Sequence, residues 1–229
     1  MSKEFRIEHE GPLPASIEQV WTAVTRDQGA WLMPSEPIND TAIVWDPPHR
    51  CVVREQDGEW FNQLEFTIEK HESGSYIRYV HSGIFVDDWD NQYDGASRHT
   101  VFYMHTLGQY LAYFDGKPYR HVEVAAPPSS LQTDGPSLVR RALGIADDQP
   151  VDSVLDVDLP AVGKTRATLD FSNDTFFGLR TDDALYRVFG RNRFGMPVAV
   201  GVYQYGEQSL PLSDVEAAWD RWLTEVYAS

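Results

Sequence analysis

SRHTVFYMHTLGQYLAYF, residues 97–114, sets Val101, Met104, Leu107, Gly108, Leu111 and Phe114 three or four positions apart. An α-helix turns once every 3.6 residues, so these positions share one side. They predict a long amphipathic helix from Ser97 to Phe114, ended by Gly116 and Pro118. A helix with one apolar side needs an apolar surface to cover, and the residues upstream supply one.

Tyr76 to Phe85 alternates, with Ile77, Tyr79 and His81 on one face, and Phe61 to Lys70 alternates, with Leu64, Phe66 and Ile68 together. Period-2 alternation marks strands with one wet and one buried face. Asp57-Gly58 and Ser73-Gly74 read as hairpin turns between Cys51–Glu55, Phe61–Lys70 and Tyr76–Phe85. Ala42–Asp46 adds a strand before Pro47-Pro48, and Phe5–His9 opens the chain with another. Between them Ser16 and Gln19 form a capping-box pattern ahead of Ile17, Val20, Trp21 and Val24, and a short helical turn is expected over 28–33. The order is strand, helices, hairpin strands, long helix. It predicts an α+β helix-grip fold, a curved antiparallel sheet around a long C-terminal helix.

Ala125 to Pro136 has the composition of a linker. The expected organisation is a helix-grip domain over 1–124, a linker over 125–136 and a smaller α+β domain over 137–229. The last part predicts helical patches at Ser137–Ile145 and Val151–Val157. Four strands follow, at Thr165–Phe171, Thr175–Leu179, Leu185–Phe189 and Pro197–Tyr205. A final helix capped by Ser213 carries Val215, Ala218, Trp219, Trp222, Leu223 and Val226. Strands closed by an amphipathic helix repeat the element order of the first part, so this part is read as a truncated copy.

Composition narrows the function. The formal net charge is -16, which repels phosphate backbones, so no nucleic-acid partner is expected. The single cysteine, Cys51, cannot form an internal disulfide, and the charged N-terminus does not read as a signal peptide. No run of apolar residues is long enough to span a membrane. A cytoplasmic protein is expected, and a homodimer is compatible with the sequence.

Three stretches carry a family resemblance. Phe5 to Trp21 is a strand followed by a capped helix, Tyr79 to Phe85 reads YVHSGIF, and His105 to Pro118 reads HTLGQYLAYFDGKP. Together they resemble the SRPBCC superfamily (START-like, birch-pollen-allergen-like), closest to the branch related to the activator of the heat-shock-protein-ninety ATPase. The resemblance reaches Pro118 and implies a cavity between sheet and long helix. The family includes lipid carriers, polyketide cyclases, hydrolase-like members and other binders, so the fold does not set the function.

The residues expected to contact a ligand are Phe66, Tyr79 and His81 from the sheet and His105 and Gln109 from the long helix. Trp89, in the acidic stretch Asp87–Asn91, is expected to close over the cavity with Tyr93. Two imidazoles in a cavity can position a carbonyl or exchange protons; histidines bonded to backbone or water at the core edge are the competing reading. There is no HExxH, CxxC or GxSxG motif, so no metal, cofactor or catalytic residue is assigned. Arg187 and Arg191 could clamp an anion, but pairing with Asp182 and Asp183 is the simpler reading. These observations predict a binding or carrier protein for an apolar or aromatic small molecule. The alternatives are a cyclase, dehydratase or hydrolase on such a substrate, or a co-chaperone-like interaction module.

Overall fold

A computed structural model describes residues 2–33, 38 and 41–228. The chain divides into two compact units, Met1–Gly116 and Lys117–Ser229.

The first unit runs β1 (Lys3–Leu13), α1 (Ile17–Thr25), β2 (Ala42–Asp46), β3 (Arg50–Asp57), β4 (Trp60–His71), β5 (Gly74–Phe85) and α2 (Trp89–Tyr113). Its strands form one antiparallel sheet in the order β1-β5-β4-β3-β2. The expected capping box opens α1: the Gln19 N–H donates to Ser16 Oγ at 3.3 Å and the Ser16 N–H to Gln19 Oε1 at 2.9 Å. The helical turn expected after it is a short 3-10 segment, Gln28–Ala30; Pro34 lies outside the described residues.

The outer face of the sheet carries charge. Arg78 pairs with Glu8 at 2.8 Å and Arg50 with Glu65 at 3.0 Å, as period-2 alternation requires of a wet face. The inner face carries Phe5, Ile7 and Leu13 of β1, Phe66 and Ile68 of β4 and Ile77 of β5, all buried. Helix α2 comes onto this face beside β1, where a methyl group at Gly108 would sit 3.8 Å from Leu13.

Helix α2 begins at Trp89, not Ser97. Residues 89–96 carry no apolar stripe, so periodicity missed them; the Arg98–Asp94 pair at 2.9 Å supports them instead. Val101 is 45% exposed and lies off the buried side, which Phe102, Leu107, Tyr110, Leu111 and Phe114 occupy.

The glycine in YVHSGIF has a packing reason. Gly83 faces Phe5 across the ladder, and a Cβ there would meet Phe61 O at 2.5 Å and the Phe5 ring at 2.9 Å. Its absence lets the Phe5 ring stack on Phe85 at 3.9 Å and meet His81 edge-on at 4.8 Å. One aromatic of β1 thus covers three of the four inward positions of the motif, His81, Gly83 and Phe85.

The second unit runs β6 (Tyr119–Ala125), α3 (Gly135–Ala142), β7 (Val154–Leu159), β8 (Gly163–Ser172), β9 (Phe176–Arg180), β10 (Ala184–Phe189), β11 (Ala199–Tyr205) and α4 (Leu212–Val226). Its antiparallel sheet has the order β6-β11-β10-β9-β8-β7. The path matches that of the first unit: a strand, a helix, a meander whose last strand returns beside the first, then a closing helix. Both units have the helix-grip arrangement.

Four expectations need correction. The boundary falls after Gly116 rather than after 124: Tyr119–Ala125 form β6, which pairs with β11 along its length, and the linker expected over 125–136 belongs to the second unit, where the Ala126 N–H donates to Val198 O at 2.7 Å. Backbone pairing with a strand some 80 residues away leaves no local mark that composition can reveal. The second unit is not a truncated copy, since among the described residues it has six strands against five. Residues 151–157 enter a strand rather than a helix, and α4 starts at Leu212 behind Pro211, so Ser213 is inside it.

Candidate ligand-binding patch on the first sheet

Antiparallel register fixes which side chains stand together on the inner face, because opposed residues point the same way. One row across the sheet is Phe5, Gly83, Asn62; the next is Ile7, His81, Leu64, Val53; the next is His9, Tyr79, Phe66, Cys51; then Gly11, Ile77, Ile68. The face is dry at one end and open at the other. Phe66, Ile68, Ile77 and Cys51 are at most 1% exposed, whereas Asn62, Leu64, Val53, Tyr79 and His81 are all half-buried. Central strands of a covered sheet are normally sealed, so this end of the face is only partly covered.

The patch mixes polar groups with an apolar floor. Asn62 Oδ1 lies 2.7 Å from His81 Nε2. An amide oxygen only accepts, so Nε2 carries the proton and Nδ1 of the neutral ring is a bare acceptor. Burial holds the His81 pKa down at about 4, and lowers that of His9. Tyr79 packs on Phe66 with ring centroids 5.0 Å apart, and burial pushes its phenol well above the usual range. Cys51 is sealed in the floor, its thiol pushed up to about 12, so it is an inert apolar residue here.

The structure therefore brings together three of the expected residues, Phe66, Tyr79 and His81. It adds Asn62 and His9, which sequence reasoning missed. The signal was present: Asn62 has the parity of Leu64, Phe66 and Ile68, and a polar residue at an inward position needs a partner. Trp89 is elsewhere. It lies in the first turn of α2, where its Nε1–H donates to Glu4 O at 3.1 Å, its ring stacks on Tyr93 at 4.7 Å, and Lys3 Nζ sits 3.6 Å above it. Tyr93 donates to Arg6 O at 3.4 Å. Both side chains tie α2 to carbonyls of the edge strand β1, which is edge protection rather than a lid. His105 and Gln109 are half-buried and one turn apart, beside the Met104–Gly108–Leu111 side of α2.

The second unit fills the corresponding space. Val139, Leu143, Val215, Trp219, Leu223 and Tyr227 pack against Leu169, Leu179, Tyr186, Val200 and Val202 in one continuous core. Its arginines have acidic partners other than those expected: Arg187 holds Asp170 at 2.8 and 2.9 Å, Arg191 holds Glu123, and Arg193 lies 3.4 Å from Asp174. A surface pocket of about 340 Å3 lined by Thr133, Ser137, Asp174, Thr175, Asn192 and Arg193 thus has its cation already paired. Among the described residues, no three His, Cys, Asp or Glu side chains converge as a metal site, and no helix is long and apolar enough to cross a membrane.

The buried histidines make stability pH-dependent. His81 and His121 both fall to about 4 through burial, against 6.5 for the free side chain. Between those values the unfolded chain binds more protons, so stability is complete above about pH 6.5 and falls as pH drops toward 4. Allowing for partial solvent screening, each contributes on the order of 1–3 kcal/mol to that fall. His81→Leu should flatten the slope for the first unit in urea titrations between pH 4 and 7; an unchanged slope would show that the ring is not desolvated.

The fold and the patch define a helix-grip protein whose first sheet has an inner face sealed at one end and half-buried at the other. No family model matches the chain, and no curated protein does. Solved structures it is similar to include protein MLL2253 from Mesorhizobium loti, at 19% identity over 47% of this chain and 97% of that one, TM-score 0.41. DynU16, a putative protein in the dynemicin biosynthetic locus, shows 15% identity over 97% of this chain and 95% of its own, TM-score 0.40. The Aha1 dimer from Colwellia psychrerythraea shows 17% identity over 47% and 96%, TM-score 0.38.

Proposed function

We propose that this chain binds or carries an apolar or aromatic small molecule on the inner face of the first sheet, beside α2. The observation that carries the reading is the half-buried patch of Val53, Asn62, Leu64, Tyr79 and His81 above a sealed apolar floor. Ligand sites combine a mostly apolar lining with a few placed polar groups, and this patch has that composition. Binding is favoured over acid–base catalysis, because a histidine held near pH 4 is a weak base at neutral pH.

Native mass spectrometry of protein purified without added ligand, paired with thermal shifts across lipids and aromatics, tests the reading. Copurified apolar mass, or a stabilisation that grows with ligand concentration, is the expected result. Clean apo protein that no compound stabilises would sink it. Leu64→Glu, which puts a charge in the patch, should abolish the shift while leaving the second unit folded.

A further inference from the structure

We infer that the ligand of this patch is an uncharged molecule bearing a hydroxyl group, a phenol or alcohol on an apolar frame. The inference rests on the binding reading above and goes further, to the chemistry of the ligand. Three polar groups present themselves on the patch. His81 Nδ1 is an acceptor, because Nε2 carries the ring proton toward Asn62 Oδ1. The Tyr79 hydroxyl makes no hydrogen bond to any described residue. The Asn62 amide keeps its N–H2 donors, since its oxygen is the atom turned to His81. Residues two apart on one strand face are about 7 Å apart, so one small polar group can lie between Tyr79 and His81.

A hydroxyl satisfies this set. Its proton goes to His81 Nδ1, and its oxygen accepts from the Tyr79 hydroxyl or the Asn62 amide. A ketone or ether leaves the imidazole acceptor unmet, and a carboxylate faces a lone pair with no cation to balance it. An anion would also meet a like charge, because Glu55 stands opposite Asn62 in the same row. Lys3, one row beyond Phe5 on the same face of β1, has its ammonium engaged over the Trp89 ring at 3.6 Å. The protein as a whole carries -16. Burial keeps His81 and His9 neutral at pH 7, so neither supplies the missing cation.

The test uses the full chain at pH 7 and matched trios on two frames: naphthalene, 2-naphthol and 2-naphthoate, and the biphenyl equivalents. Calorimetry or tyrosine and tryptophan fluorescence reads the affinities. The phenol should bind at least about 10-fold more tightly than the bare hydrocarbon, with the carboxylate weakest. Tyr79→Phe and His81→Leu should each shrink the ratio of phenol to hydrocarbon affinity. The imidazole 15N resonances of the wild type give a readout that needs no variant: His81 Nδ1 should shift on adding 2-naphthol and not on adding naphthalene. Equal affinity for phenol and hydrocarbon, or a preference for the carboxylate, overturns this inference and leaves the binding reading standing. Failure of all six compounds to bind overturns both.

Discussion

Asp170→Asn should lower the stability of the second unit by about 3–5 kcal/mol. Arg187 is fully buried and Asp170 nearly so, and their bidentate contact spans 2.8 and 2.9 Å. The pair bridges β8 and β10 across β9, over Gly178. The register between β8 and β9 shifts between Leu169 and Phe171, which frees the Asp170 side chain to reach across. Gly178 leaves the space, since a Cβ there would run into both partners. Removing the carboxylate charge strands a guanidinium in an apolar setting, and the cost of desolvating it is no longer offset. Urea unfolding followed by Trp219 and Trp222 fluorescence reads the loss. The double change Asp170→Leu with Arg187→Met should recover most of it, because a packed apolar pair does not need the compensation. A single-mutant loss below about 1 kcal/mol would mean that water reaches the pair.

Trp219→Ala should cost the same unit about 3–5 kcal/mol, whereas Trp219→Phe should cost under about 1.5. Trp219 is 1% exposed at the centre of α4, against Tyr186 at 5.9 Å and Trp222 at 5.5 Å. Its truncation opens a cavity that a six-stranded sheet and two helices cannot close. The milder effect of Phe has a separate cause. The Trp219 Nε1–H is buried with no hydrogen-bond partner, a standing cost that Phe removes as it loses some contact area. Equal losses for the two variants would show that this N–H is satisfied in solution.

Much of the fold was legible because its signals are local. Alternation in 61–70 and 76–85 marked strands and assigned Phe66, Tyr79 and His81 to one face. Ser16 and Gln19 announced α1, and the 97–114 periodicity announced α2. Errors fell where the stabilising partner is distant. Tyr119–Ala125 is a strand only because β11 pairs with it, and the first turns of α2 hold through Trp89 and Tyr93 on β1 carbonyls.

The candidate site divides along the same line. Side-chain parity on a strand is a property of the backbone, so the sequence by itself determined which residues of β4 and β5 share the inner face. Whether that face is sealed or open depends on where a helix comes to rest, and a helix rests where its bulk meets the sheet's. Here α2 settles beside β1, Phe5 closes over Gly83, and Val53, Leu64, Tyr79 and His81 stay half-buried. Only the tertiary structure decided that, and with it the Asn62–His81 contact that sets the imidazole's proton. In the second unit the same path ends with Trp219 filling the space, because packing is a sum over many distant side chains that no local pattern records.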